Sequence, residues 1–304
     1  MDYKKLIKSR KTRVRIMQAL SFVPDSIMVK MQYKLKTGHR LNLKNPERFT
    51  EKLQWYKLYY RNELMAQCAD KYEVRKYVEQ CGLGSILNKL YGVYDSPKKI
   101  DFNKLPKSFV IKDTLGGGGN AVILVEDKSK IDEAAVRRQM AEWVNEPVHE
   151  KHPGREWVYD GKKHRIIIEE LIPSNPETGG LIDYKFFCFN GKAEYLYVIA
   201  DRKVGDKAGF GIFDADYNRL NVIRADEKPL TRKINKPKNY DELKQAAEIL
   251  AKPFPEVRID FYNEGNQIRF GEITFFDGSG YMTFEPDEFD YIFGEKFDIQ
   301  GLYK

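Results

Sequence analysis

At 304 residues, with 42% apolar and 13% aromatic residues and no low-complexity tract, the chain has the make-up of a folded protein of two or three subdomains, which excludes a disordered or fibrous one. No apolar run approaches the roughly 18 residues of a membrane span, and the basic N-terminus lacks the continuous apolar core of a cleaved signal, so the expectation is a soluble, cytoplasmic protein. The net charge of +7 is unevenly placed: residues 1–60 carry 15 Lys/Arg against 4 Asp/Glu, and the remainder 37 against 41.

The opening YKKLIKSRKTRVRIMQAL (3–20) sets Tyr3, Leu6, Ile7, Val14, Met17 and Leu20 near one helical stripe, with Lys4, Lys5, Lys8, Arg10, Lys11, Arg13 and Arg15 over much of the rest. A basic amphipathic helix of this kind covers a core, or lies on an anionic membrane surface or polyanionic polymer at the inner membrane face. No RNP pattern, zinc module or other recognition signature accompanies it, so nucleic acid is not expected as a partner. NPERFTEKLQWYKLYY predicts a helix with Asn45 as N-cap and Pro46 at its first position. ADKYEVRKYVEQCG predicts a second, stopped by Gly82. Cys68, Cys81 and Cys188 are odd in number and outside any CxxC, which suits reduced thiols.

Next comes SFVIKDTLGGGGNAVILV (108–125), two β-branched runs around four glycines. A hairpin needs only one or two residues at positive φ, so four glycines point to a backbone that closes over something or to a flexible tip. The glycines precede a strand rather than a helix, which excludes a P-loop and a Rossmann turn. A glycine-rich loop between strands does aim backbone N–H groups at phosphates, and Lys112 stands just before it. IDEAAVRRQMAEWVNE (131–146) and YDELKQAAEILAKPF (240–254) read as helices. RIIIEELI (165–172), DYKFFCFNGKAEYLYVIADR (183–202) and GIFDADYNRL (211–220) read as strands and turns. The order gives an α+β fold without regular βαβ alternation or internal repeat.

EVRIDFYNEGNQIRFGEITFF (256–276) predicts a hairpin turning at NEGN. With Tyr262 opposite Ile268, Arg258 faces Glu272 and Asp260 lies diagonally from it, while Val257, Ile259, Phe261, Ile273 and Phe275 line the other face. Two carboxylates converging in this way can hold Mg²⁺ that carries phosphates. The alternative, a surface ion pair between Arg258 and Glu272, leaves Asp260 unexplained.

Asp70-Lys71, FVIKDTLGGGGN, IIIEELI, DYKFFCF, VRIDFY and GEITFF resemble, in order, the segments of the ATP-grasp ligases. NPERFTEKLQWYKLYYRN, DYKFFCFNGK and GEITFFDGSG are most similar to the TupA-like group of bacterial cell-surface polymer biosynthesis, over about residues 24 to 290. The resemblance implies an ATP-grasp fold with ATP held between two α+β subdomains: a basic helical segment (1–44), a helical region (45–104), a small subdomain with the glycine-rich loop (105–172) and a C-terminal subdomain with the metal-binding carboxylates (173–304). It implies that Lys71 and Lys112 hold ATP phosphates beneath Gly116, Gly117, Gly118 and Gly119. Glu169, Glu170 and Ile172 then belong to the adenine-binding hinge and Asp183 binds ribose. Lys185 and Arg202 face phosphates or acyl phosphate, Arg258 steadies a tetrahedral oxyanion with the Gly278 N–H, and Asp260 and Glu272 ligate Mg²⁺. Thr274 replaces the Asn common two residues after the glutamate, and a hydroxyl is a poorer metal ligand. The implied reaction is ADP-forming carboxylate–amine ligation in capsule or surface polysaccharide biosynthesis, joining a uronate or glycan carboxylate to an amine such as an amino acid.

Other classes leave weaker traces. Asp214 and Asp216 make a DxD, as in a metal-dependent glycosyltransferase, but DADYN also reads as a turn in which Asp side chains bond local backbone. HRDLxxxN and DFG, which a protein kinase needs, are missing. His149 and His152 have no third ligand nearby and read as surface residues rather than zinc ligands. A degenerate ATP-binding scaffold on an anionic surface is the non-enzymatic alternative.

Overall fold

The computed structural model describes residues 10–117, 121–174, 180–201 and 208–302. In chain order the helices are α1 (Arg10–Ala19), α2 (Asp25–Thr37), α3 (Phe49–Tyr59), α4 (Glu63–Cys68), α5 (Val74–Gln80), α6 (Glu133–Val144), α7 (Tyr240–Ala251) and α8 (Phe289–Glu295). The strands are β1 (Leu90–Tyr94), β2 (Phe109–Asp113), β3 (Val122–Val125), β4 (Ile166–Glu169), β5 (Asp183–Phe189) and β6 (Lys192–Ala200). They continue with β7 (Gly209–Asp214), β8 (Ile223–Arg224), β9 (Lys228–Pro229), β10 (Glu256–Glu264), β11 (Gln267–Thr274) and β12 (Phe284–Glu285). The chain divides into a smaller unit, residues 63–150 and 158–174, and a larger one, residues 1–62, 151–157 and 175–304.

The smaller unit is built on an antiparallel sheet of order β1-β4-β2-β3. Period-two alternation puts Phe109 and Ile111 of β2 and Ile166 and Ile168 of β4 into one core with Val136 and Met140 of α6. Lys112, which follows Ile111 in sequence, is thereby turned to the other face. The predicted helix at 69–82 begins only at Val74, because Asp70 Oδ1 accepts from the N–H of Tyr72 (2.8 Å) and Glu73 (3.0 Å) and closes a local turn instead. Gly82 ends it in the left-handed region at φ 78°, as its sequence position predicts.

The larger unit carries a sheet of order β11-β10-β5-β6-β7-β9, antiparallel except for β7 with β9. α3 and α8 pack through Phe49 and Phe293, stacked at 4.2 Å between ring centroids. α3 starts at Phe49, not Pro46, and Asn45 is not its cap. Glu51, inside the first turn, accepts from the N–H groups of Asn42 (2.8 Å), Glu47 (3.1 Å) and Arg48 (3.3 Å), while Asp290 accepts from the N–H of Thr50 (3.0 Å). The loop before the helix is thus wound around an acceptor that the helix itself supplies, and the chain cannot be helical there.

Among the described residues, no helix is long and apolar enough to cross a membrane. The opening basic segment is helical from Arg10; Tyr3 to Lys8 lie outside the described residues. Cys68 and Cys188 are buried free thiols whose pKa burial pushes up, Cys68 to about 12.

Candidate active site

In the smaller unit the glycine turn joins β2 to β3. The N–H of Asp113 donates to the carbonyl of Ala121 at 3.0 Å, and Asp113 Oδ1 accepts from the N–H of Leu115 at 3.1 Å. A Cβ on Gly116 would stand 2.3 Å from the Cβ of Ala121, whereas one on Gly117 would meet nothing within 4 Å. Gly116 is therefore required by close packing at the loop base, and Gly117 is left to conformational freedom. Gly118 and Gly119 lie outside the described residues.

Two charged contacts lie along this hairpin, one at the loop through Lys71 and one on the strands where Lys112 and Arg75 meet Glu169. Lys71 Nζ donates to the carbonyl of Gly116, and the Lys71 N–H donates to the carbonyl of Thr114 at 2.9 Å. Lys112 Nζ lies 2.9 Å from Glu169 Oε2, and Arg75 Nη1 of α5 lies 2.8 Å from Glu169 Oε1. Glu169 ends β4, opposite Val110 and Leu90, and its buried carboxylate is gripped by both cations. Glu170 and Ile172 follow in irregular chain, with the Glu170 N–H bonded to Lys89 O at 2.9 Å. Sequence reasoning missed Arg75 and His164. His164 Nδ1 lies 2.7 Å from Asp113 Oδ2; burial pushes the imidazole pKa down, but Asp113 outweighs it and holds it above the ordinary value.

In the larger unit, three charged residues form one row across adjacent strands: Lys185 of β5 pairs with Asp260 of β10, which pairs with Glu272 of β11. Asp183 pairs with Tyr262 two residues along, on the same face, with its Oδ2 3.7 Å from Lys185 Nζ. The predicted diagonal is corrected here: Asp260 is directly opposite Glu272, and Arg258 is opposite Thr274. Two facts shift the register. The hairpin turns tightly at Gly265 and Asn266, both at positive φ (58° and 61°), with Glu264 paired to Gln267. Gly271 is then an extra residue between the pairs Phe261–Phe270 and Asp260–Glu272. A Cβ there would come 2.8 Å from the Asp260 carbonyl oxygen, so glycine is needed at the bulge. Val257, Ile259, Phe261, Ile273 and Phe275 are buried on the other face, as the alternation predicts.

Arg258 organises the row. Its Nε and Nη2 reach both oxygens of Asp260 (2.7 and 2.8 Å), Nη2 also reaches Glu272 Oε1 (3.2 Å) and Thr274 Oγ1 (3.1 Å), and Nη1 binds Asp277. Lys185 Nζ donates to Asp260 Oδ2. Burial pushes the Asp260 pKa up, but Arg258 and Lys185 outweigh it and hold the carboxylate below its ordinary range. Thr274, a poor metal ligand, instead accepts from the guanidinium. Arg202 lies outside the described residues.

Asp277, unforeseen from sequence, bridges Arg258 to Arg224, whose Nη1 lies 3.1 Å from Asp277 Oδ2. It opens a turn whose next three residues, Gly278, Ser279 and Gly280, are all left-handed (φ 51°, 57° and 69°). Lys57 and Gln54 of α3 hold that turn: Lys57 Nζ donates to Ser279 O at 2.8 Å, and Gln54 Nε2 to Gly280 O at 2.7 Å. Burial pushes the Lys57 amine down to about 7. Consecutive left-handed residues clamped by buried side chains are the kind of held strain that gathers at functional sites.

Like charges directly opposite on paired strands repel, and Asp260 with Glu272 supplies hard oxygen donors of the sort Mg²⁺ takes beside phosphate oxygens. The pair has the donor chemistry of a Mg²⁺ site, with both Asp260 oxygens held by Arg258 and Lys185; among the described residues no group of three or more His, Cys, Asp or Glu is arranged to hold a metal. Asp214 commits Oδ1 to the N–H groups of Asp216 (3.0 Å) and Asn218 (2.8 Å) and Oδ2 to the Asn218 amide (2.9 Å), all within its own turn, as the turn reading expects.

The sequence pattern of the family described as TupA-like ATPgrasp matches residues 51–298. No curated protein matches the chain. Among solved structures it is similar to D-alanine–D-alanine ligase from Bacillus anthracis, at 18% identity and TM-score 0.42 over 68% of this chain and 57% of that one. It is also similar to D-alanine–D-alanine ligase from Helicobacter pylori (14%, 0.41, 82% and 67%). For the L-amino acid ligase from Bacillus licheniformis the values are 14%, 0.40, 70% and 42%. The chain spans little more than half the length of the first of these, 57%.

Proposed function

This chain belongs to the TupA-like ATP-grasp family, and from that premise we propose that it is an ATP- and Mg²⁺-dependent carboxylate–amine ligase. The observation that carries the reading is the Lys185–Asp260–Glu272 row with Arg258 folded over it. Two opposed carboxylates restrained by a lysine and an arginine suit a centre that handles phosphate, a divalent cation and a developing oxyanion.

In this reading Lys71, Lys112 and the glycine turn Gly116 to Gly119 bind the phosphates of ATP, Glu169 to Ile172 its adenine and Asp183 its ribose. Lys112 exchanges its bond to Glu169 for phosphate, leaving Arg75 to hold the glutamate in place. Asp260 and Glu272 would hold Mg²⁺, which when bound would offset phosphate charge. A substrate carboxylate takes the γ-phosphoryl group, giving an acyl phosphate and ADP. An amine then attacks the acyl carbon, loses a proton and expels phosphate, leaving an amide. Lys185 and Arg202 stabilise the transferred group, and Arg258 with the Gly278 N–H the tetrahedral oxyanion; most of the acceleration comes from positioning and charge. Family likeness supports a uronate or glycan carboxylate and an amino acid as substrates, in cytoplasmic synthesis of capsule or another surface polysaccharide.

The glycosyltransferase reading would need Asp214, whose carboxylate is taken up by its own turn. The test is ADP release from ATP and Mg²⁺ over a matrix of sugar-nucleotide uronates and amines. Release that requires both a carboxylate and an amine supports the ligase; sugar transfer from a nucleotide sugar without ADP overturns it.

A further inference from the structure

We propose that the exposed face of α2 docks the protein on an anionic lipid bilayer, an inference independent of the ligase reading. α2, DSIMVKMQYKLKT, has two faces of opposite fate. Met28, Val29, Gln32 and Tyr33 are buried, with the Tyr33 hydroxyl 2.7 Å from Thr50 Oγ1 and Gln32 Oε1 accepting from the Tyr281 hydroxyl at 2.8 Å. On the opposite side Ile27 (50% exposed), Met31 (53%) and Leu35 (58%) recur every fourth residue, and Phe22 just ahead of the helix is 81% exposed. Single exposed apolar side chains are ordinary on a soluble protein; three in register on one helix, continued by an aromatic, form a stripe.

Charge identifies the occupant. At 100° per residue, Lys30 and Lys34 flank one edge of that stripe, and both are exposed. Residues 10–44 contain many Lys/Arg and a single acid, Asp25. Asp25 is already engaged by Lys151 at 3.4 Å and Arg155 at 3.5 Å, so the face keeps its positive sign. A second copy would bring like charge against like charge. A soluble polyanion would engage the lysines and leave the apolar stripe in water. An anionic bilayer satisfies both halves: Phe22, Ile27, Met31 and Leu35 enter the headgroup–acyl boundary while Lys30 and Lys34 reach the headgroups.

The test is co-sedimentation of the full chain with vesicles of phosphatidylcholine alone or with about one third phosphatidylglycerol. Binding is expected to the anionic vesicles and to fall about tenfold or more on neutral ones or in about 1 M salt. Met31→Asp/Leu35→Asp should lower anionic binding about tenfold while the melting temperature holds, since both side chains are solvent-facing. Lys30→Glu/Lys34→Glu should remove the salt-sensitive part. The proposal is overturned if the native chain stays in the supernatant with anionic vesicles. It is overturned equally if the Met31/Leu35 variant binds as well as the native chain, or if that variant instead abolishes a self-association seen by ultracentrifugation.

Discussion

Arg258 grips Asp260 through both carboxylate oxygens, Nε to Oδ1 at 2.7 Å and Nη2 to Oδ2 at 2.8 Å. This buried pair separates two variants that sequence reasoning treats alike. Glu272 is partly solvent-facing, so Glu272→Gln should keep the melting temperature and lower ADP-forming turnover by about 10²–10³, as when one electrostatic stabiliser of the transition state is removed. Asp260→Asn should lower turnover and also stability, by about 1–3 kcal/mol, because it neutralises the buried carboxylate that both Arg258 and Lys185 hold while Asp277, Glu272 and Asp183 still face them. Asp216→Asn should change neither. Turnover and thermal unfolding of the three variants decide it; an inactive Asp216→Asn beside an active Glu272→Gln would overturn the ligase reading.

Asp277 holds the far side of the same guanidinium and carries it to Arg224. Asp277→Asn should lower kcat about 10–10²-fold with KM for ATP nearly unchanged, the signature of a donor displaced from the transition state while substrate still binds as before. Asp277→Glu should recover less than a tenth of that activity, because the bridge has room for one carboxylate at one reach. A variant that changes only KM for ATP would show that Asp277 does not act through Arg258.

Two adjacent glycines should behave oppositely. Gly116→Ala forces the new Cβ against Ala121 at 2.3 Å, while Gly117→Ala meets open space. The rise in melting temperature on adding ATP and Mg²⁺ should be abolished by the first and retained by the second. Equal behaviour of the two would mean that the base of the turn does not shape the nucleotide site.

The His164–Asp113 pair should appear in the pH dependence of stability. The folded pKa of His164 is raised, net of burial that lowers it and Asp113 that raises it further. Its contribution is therefore fully present below the ordinary imidazole value of about 6.5 and is lost as pH rises through the raised value. Urea unfolding across that window should show native stability falling relative to His164→Gln. A constant difference between the two proteins would mean that the pair adds no pH-dependent stability.

What could be read in advance followed from local rules. Alternation alone assigned Val257, Ile259 and Phe261 to the core and Arg258 and Asp260 to the opposite face, because a strand's period is set by its own backbone. The register escaped prediction, since it depends on where the turn tightens and on an unpaired Gly271 that changes no residue pattern. The start of α3 was misplaced because its acceptors come from Glu51 and Asp290, the latter distant in sequence. Arg75, Arg224, Asp277 and Lys57 were invisible for the same reason: each matters through a partner that only the fold brings near. Proline, glycine and apolar spacing report the local chain; buried charge pairing does not.

The Gly271 bulge also changes how this strand should tolerate shortening. Removing one residue from a regular strand turns everything beyond it to the wrong face. Here Phe270 already opposes Phe261 and Glu272 already opposes Asp260, so excising Gly271 would join two segments whose partners are consecutive on β10. The excision would flatten the local twist and leave each side chain facing as before. Excising Phe270 or Glu272 would instead draw Gly271 into the vacated place, keeping the register but losing the core phenyl or the carboxylate. The glycine that looks most like a defect is thus the residue here whose loss costs neither the register nor a side chain on either face.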